Sequence, residues 1–246
     1  MTAEASLDDM RAYWKLHLGF DPDRANGVLV ARPEGTLGHY AGVYVFRHGY
    51  SCIVSPPTEW RPALRDALAG RTPDEAFSVP TLTAALGDAA GLVVGPAFIG
   101  CADEEDVRAG ASDQPAARPR PSTRLLEPRD RPALEALAAV RPADWEHSSI
   151  DFDRPPIFGA FEADALVAVA SYEAWGDRIR SVGFITHPSR RGRGYGLAVA
   201  TAATAHGIAA GYVMLWQTLE SNAPSMSVAR RLGYQPYART IAIRLR

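Results

Sequence analysis

Between His187 and Gly211 the chain reads HPSRRGRGYGLAVATAATAHGIAAG, with Gly192, Gly194 and Gly196 set among Arg190, Arg191 and Arg193. Glycines at this spacing let successive backbone N–H groups converge on an oxyanion without obstruction by Cβ atoms. If a helix leaves such a turn, its first N–H groups lack internal partners and carry the positive end of the dipole. A strand, a glycine turn and a helix in that order therefore make a cradle for phosphate groups. The stretch has no Gly-Lys-Ser/Thr and is not followed by a dinucleotide-type unit with its acidic residue. The competing reading is a tight turn whose arginines are solvated.

Two features of composition weigh the glycines above the arginines. Lys15 is the only lysine, so 25 of the 26 basic residues are arginine and an arginine cluster says little. The charge is also uneven. Residues 1–121 carry 11 basic and 16 acidic groups, and residues 122–246 carry 15 and 12. The glycine turn lies in the mildly basic half, which suits an anionic ligand there.

The elements that must position this turn follow from hydrophobic period and turn residues. The stretch Gly110–Ser122, rich in Pro, Ala and Gly, reads as a linker between a domain at 1–109 and one at 123–246. In the first, 6–18 is an amphipathic helix, YAGVYVFRHGYSCIVS a hairpin, PTEWRPALRDALAG a helix with Thr58 as cap, and LTAALGDAAGLVVGPAFIG a helix feeding a strand. In the second, TRLLEP is a strand, RDRPALEALAAV a helix, and RPADWEHSSIDFDRPP a loop. Three strands, IFGAFEA, ALVAVASYEAW and RIRSVGFITHP, then lead into the glycine turn and its helix. A strand (YVMLWQTLE), a helix (APSMSVARRLG) and a strand (YARTIAIRL) complete the chain. The fold class is α+β, with a mainly antiparallel mixed sheet flanked by helices, plus an N-terminal α/β domain.

After Gly196 comes a second motif, SNAPSMSVARRLGY, an Asn at the start of a helix that closes on Leu-Gly-Tyr. With FITHPSRRGRGYG before it, and with this element order from Thr123 to Arg246, the C-terminal half resembles the GNAT superfamily of acetyl-CoA-dependent N-acetyltransferases. The resemblance implies that backbone groups of Phe184, Ile185 and Thr186 pair with the pantetheine arm of CoA, like an added strand. It implies that this strand and the next splay apart to admit the acyl-pantetheine. Backbone N–H groups of Arg191, Gly192, Arg193, Gly194, Tyr195, Gly196 and Leu197 would hold the pyrophosphate. Asn222 would hydrogen-bond the arm near its sulfur. Acetyl-CoA is then a co-substrate, an amine on a small molecule or peptide is the acceptor, and no metal is needed.

The chain departs from the family at two catalytic positions. Many relatives carry a tyrosine seven residues after the asparagine, where this chain has Ala229. Ser225 then has two readings, a donor to the sulfur or a helix cap. Tyr234 reads as a core aromatic. The strand RIRSVGFIT carries no carboxylate, so a general base is sought in Glu146 and His147 of the DWEHSS loop, or in Glu173. Glu146 and Ser225 are the catalytic candidates. The alternative from another class is a regulator that binds CoA or acyl-CoA without chemistry. The N-terminal domain is either a degenerate second copy of the fold or an unrelated docking domain, and without a glycine cradle it is expected not to bind CoA.

The bulk numbers exclude other classes. Hydrophobic residues make up 47% and charged residues 22% of the chain, an ordinary globular balance. A net charge of −2 argues against a nucleic-acid partner. No apolar run is long enough for a membrane span. Cys52 and Cys101 are too few for a disulfide framework or zinc site, and a cytoplasmic setting is expected. Either a monomer or a homodimer fits.

Overall fold

The computed structural model describes residues 3–32, 35–107, 121–146, 148, 150–154 and 156–246. Its helices are α1 (Ala3–Leu18), α2 (Arg61–Leu68), α3 (Pro73–Ala76), α4 (Val79–Leu86), α5 (Arg131–Val140), α6 (Pro142–Glu146), α7 (Tyr195–Ala209) and α8 (Ala223–Arg231). Its strands are β1 (Gly27–Val30), β2 (Gly42–His48), β3 (Ser51–Ser55), β4 (Ala90–Ala102), β5 (Thr123–Leu125), β6 (Phe158–Glu162), β7 (Ala165–Ala174), β8 (Ile179–Thr186), β9 (Val213–Leu219) and β10 (Gln235–Leu245). The mixture of helices and strands is the α+β class that the patterning predicts. Residues 110–120 of the expected linker, and His147, lie outside the described residues.

The chain divides into two compact units that no single cut in the sequence separates. One comprises Leu7–Gly100, Gln217–Ala223 and Pro236–Arg246; the other comprises Met1–Ser6, Cys101–Trp216 and Pro224–Gln235.

In the first unit the strands run in the order β1-β3-β2-β10-β4. β2 and β3 form the expected hairpin, with Val45 opposite Val54. β10 lies antiparallel along β2, with Ile241 opposite Val45 and Ile243 opposite Val43. These residues are fully or nearly fully buried with Leu64, Leu68, Leu82 and Leu86 of α2 and α4. β1, a run of only four residues, is parallel to β3. Thr58 does not cap α2. It opens a 3-10 turn, Thr58–Trp60, that lacks a side-chain cap, whereas Thr72 and Ser78 cap α3 and α4. β3 has its parallel neighbour in β1, which precedes it, so no strand–helix–adjacent parallel strand unit follows β3.

In the second unit the order is β9-β8-β7-β6-β5. β5 to β8 form an antiparallel meander. α7 then crosses over to β9, which is parallel to β8. One core cluster joins Leu134 and Leu137 of α5 to Leu166 and Val169 of β7. α7 buries Leu197, Ala198, Val199, Ala200, Ala203, Thr204 and Gly207, mostly small side chains. Small residues let this helix approach closely: a Cβ on Gly207 would stand 2.2 Å from the Met214 sulfur. Among the described residues no helix is long and apolar enough to cross a membrane.

Candidate functional site

The glycine turn stands where the sequence places it, between the end of β8 and the start of α7. His187 accepts a hydrogen bond from the Ser189 N–H at 3.3 Å and caps a 3-10 turn, Pro188–Arg190. Gly192 and Gly194 take φ of 74° and 88°, the left-handed region that favours glycine. Gly194 is the N-cap of α7. The first bond across the start of the helix runs from the Ala198 N–H to the Gly194 carbonyl at 3.0 Å. The N–H groups of Tyr195, Gly196 and Leu197 precede it and are the helix's open donors. Gly196 serves a different need, close approach. A Cβ there would meet Thr186 Oγ1 at 2.8 Å and the Phe184 ring at 2.9 Å, so glycine lets the helix sit against the strand end.

The side chains of the arginines are already engaged. Arg190 pairs with Glu162 at the end of β6. Arg193 reaches the same carboxylate at 3.1 Å. Arg191 pairs with Asp144 of α6 at 3.1 Å and donates to the Thr186 carbonyl at 3.4 Å. An anion approaching this turn meets backbone N–H groups and the helix dipole against a background of paired charges. Tyr195 also donates to Glu162 at 3.1 Å. Burial pushes the Glu162 carboxyl up, but hydrogen bonds from Tyr195 and Arg190 and the nearby positive charges together hold it below the usual range.

Phe184, Ile185 and Thr186 end β8 and pair on one side with Ala170, Val169 and Ala168 of β7. On the other side, the described ladder to β9 covers only Ile179 to Ser181 against Val213 to Leu215. β8 runs on beyond it to Thr186, so its backbone edge there fits an added strand.

A cleft of about 550 Å³ in the same unit is lined by Trp145, Glu146, Asp151, Tyr172, Glu173 and Tyr212, among others. Glu173 and Ala174 pair with Ser181 and Arg180, so the cleft lies toward the end of β8 away from the glycine turn. Arg180 stacks over the Tyr212 ring at 3.9 Å and donates to the Gly176 and Ile179 carbonyls. Arg154 pairs with Asp151 at 3.2 Å. Glu146, expected in a loop, ends α6 and is exposed. That helix is one short turn beginning at Pro142 and braced by an Arg141–Asp144 pair, too brief to register as a hydrophobic period.

Ser225 is 8% exposed and accepts from Trp216 Nε1 at 3.1 Å. Ala229 is completely buried, and the Tyr234 hydroxyl is bonded to Thr204 Oγ1 at 2.9 Å inside the core. Burial pushes the Tyr234 phenol far up. Tyr234 is thus the core aromatic that the sequence suggests. Asn222 precedes α8, its N–H bonded to the Leu219 carbonyl at 2.9 Å, and it belongs to the first unit. Cys52 and Cys101 are free and buried, and burial pushes both thiols up to about 12. The sequence reading missed Glu162, Asp144 and the cleft residues Asp151, Tyr172 and Tyr212. Only the opposite charge of Glu162 and the arginines hinted at a pairing, and many carboxylates shared that property.

Residues 123–234 match the acetyltransferase (GNAT) family. No curated protein sequence matches the chain. Among solved structures, a GCN5-related N-acetyltransferase-like protein from Streptococcus suis shares 15% identity, with a TM-score of 0.50 over 98% of this chain and 100% of its own. A GNAT-family protein from Novosphingobium aromaticivorans shares 21% identity with a TM-score of 0.44, over 63% of this chain and 65% of its own. This chain thus spans slightly under two thirds of that protein's length. The protein yncA from Salmonella typhimurium, solved with its cofactor acetyl-CoA, shares 17% identity with a TM-score of 0.40, over 51% of this chain and 93% of its own. At such identities the likeness is one of fold, and activity has to be argued from the site.

Proposed function

We propose, from the GNAT acetyltransferase domain at residues 123–234, that the protein moves an acetyl group from acetyl-CoA to an amine acceptor in one ternary complex. The observation that carries this reading is the turn itself. Left-handed Gly192 and Gly194 open into a helix whose first N–H groups are unspent, while the neighbouring guanidinium groups are paired elsewhere. Such a site suits a pyrophosphate better than it suits a tight turn with solvated arginines.

The donor's pyrophosphate would rest on the N–H groups from Arg191 to Leu197. Its pantetheine arm would lie along Phe184, Ile185 and Thr186 as an added strand. The acceptor's neutral amine attacks the thioester carbonyl carbon, and a strand N–H near Ile185 or Thr186 receives the developing oxyanion. As the carbon–sulfur bond breaks, the nitrogen gives its proton to Glu146, the proposed base, and the sulfur leaves as the thiolate, with a hydrogen bond from the Ser225 hydroxyl as its proposed support. Holding both substrates in register supplies much of the acceleration.

The cleft favours a cationic amine. Glu146 and Glu173 line it, Glu173 also accepting from Trp175 Nε1 at 3.1 Å, and Arg154 and Arg180 are engaged by Asp151 and by Tyr212 with backbone carbonyls. Its aromatic walls, Trp145, Tyr172 and Tyr212, suit a positive charge held beside a ring.

A second reading rests on Ala229, which fills a fully buried position where many relatives place a phenol. On that reading the protein binds CoA as a regulator without chemistry. One experiment separates the two: titration with CoA, followed by thiol release from acetyl-CoA across a panel of amines. Binding with transfer to at least one cationic amine is the expected result. Tight binding with no transfer at any pH selects the regulator, and no binding removes both.

A further inference from the structure

The hairpin tip between β6 and β7 is irregular on both sides of Glu162. Its register shifts at Ala160/Phe161, before Glu162 pairs with Ala165 across a two-residue turn. Ala163, at the start of that turn, has a φ of 52°, and it is the one non-glycine residue with positive φ among the described residues. An alanine gains nothing by local bonding in the left-handed region, where Gly, Asn or Asp is usual. A bulge re-aims the side chains beyond it. Together these features point one carboxylate out of the sheet toward the glycine turn.

What Glu162 reaches there is specific. Arg190 lies before the two left-handed glycines, Arg193 between them, and Tyr195 is the first residue of α7. A single carboxylate thus holds both flanks of the turn. At an anion site an unmatched carboxylate would repel the ligand, but this one is matched by two guanidinium groups, and the cluster remains net positive.

We propose that Glu162 is the positioning residue of the phosphate cradle. It fixes the turn from Arg190 to Tyr195 and occupies its guanidinium groups, so that backbone N–H groups make the contacts to pyrophosphate. The inference rests on the reading of the turn as a CoA site. Its function is to shape the donor site, and it takes no part in proton transfer.

The test compares the full-length protein with Glu162→Gln, and with Ala163→Gly as a control that keeps the turn geometry. Calorimetric titration with CoA should give a Kd about tenfold weaker for Glu162→Gln, and kcat at saturating acetyl-CoA should stay within about twofold. Amide hydrogen exchange of residues 191–197, measured without CoA, should be faster in Glu162→Gln than in the wild type. Ala163→Gly should bind CoA as the wild type does. Equal or tighter CoA binding by Glu162→Gln, with unchanged exchange, overturns the proposal and means that freed arginines serve the phosphates as well. If the wild type binds no CoA, the donor site itself is refuted, and the exchange comparison alone still decides whether Glu162 holds the turn.

Discussion

The indole Nε1–H of Trp216 donates to the hydroxyl oxygen of Ser225 at 3.1 Å, and both side chains are buried. The bond commits the serine oxygen as an acceptor and turns its proton away from the indole. Ser225→Ala leaves the indole N–H without this acceptor in the core and should cost about 1–3 kcal/mol of stability in urea unfolding. If Ser225 also donates a hydrogen bond to the sulfur, kcat should fall by about 10- to 100-fold, the worth of one hydrogen bond to a charged group. A stability loss with full kcat would confine Ser225 to support of Trp216.

Tyr234 offers the opposite case, a phenol in the core of the same unit that the proposed chemistry does not use. Tyr234→Phe removes the bond to Thr204 Oγ1 and should cost about 1 kcal/mol. Rates at saturating substrates should match the wild type. A kcat loss of tenfold or more would bring the phenol back as the missing proton donor.

Two glycines separate binding from backbone strain. Gly194 and Gly211 have φ of 88° and 83°, and an added Cβ meets nothing within 4 Å at either. Replacing either by Ala should therefore cost about 1–2 kcal/mol from the left-handed backbone alone. Only the change at Gly194 should weaken CoA binding, by about tenfold or more, because only there do the N–H groups belong to the proposed cradle. Equal CoA affinity for Gly194→Ala and Gly211→Ala in calorimetry would mean that the turn does not hold the phosphates.

Much of the C-terminal half is legible in the sequence because its information is local. Apolar runs bounded by short turns give β6 to β8, glycines mark the turn, and small residues mark a helix that lies close on the sheet. The partners of Arg190, Arg191 and Arg193 are not legible. Glu162 and Asp144 lie 28 and 47 residues away along the chain from Arg190 and Arg191, and nothing local selects them from the other carboxylates. β1 escapes notice because four residues carry no period, and its parallel pairing with β3 requires a long-range contact. β10 reads as a strand, but its place beside β2 rests on matches such as Ile241 to Val45 that composition does not reveal.

Asp130 gives the unit a defined acid sensitivity. Its carboxylate accepts from Arg124 at 2.6 and 2.7 Å and from the Glu127 N–H at 2.8 Å. The Arg124 bonds, then that N–H, hold it well below the usual carboxylate range against the opposing effect of burial. A depressed carboxyl contributes stability that is complete above its unfolded pKa and is lost as pH falls toward the folded value. Asp130→Asn should therefore be less stable than the wild type at pH 7 by about 1–2 kcal/mol, with the half-exposed Arg124 screened by water. The gap should narrow once the pH drops below about 4. A gap that is constant from pH 7 to pH 2 in denaturant melts would show that the ion pair is not its source.

Glu146 tests the chemistry most directly. It lies exposed at the end of α6, lines the cleft beside Trp145, and has no hydrogen-bond or ion-pair partner among the described residues. A base needs that freedom, since a carboxylate already holding a cation has less affinity for a proton from the acceptor. Glu146→Gln keeps the size and removes the proton acceptor. It should lower kcat for the best amine by about 100-fold, with CoA affinity unchanged. Glu173→Gln, on the same cleft, should raise KM for a cationic amine and leave kcat intact. If the two variants exchange these behaviours, Glu173 is the base and Glu146 holds the substrate's charge. If neither lowers kcat, the proton leaves by water and both carboxylates serve binding alone.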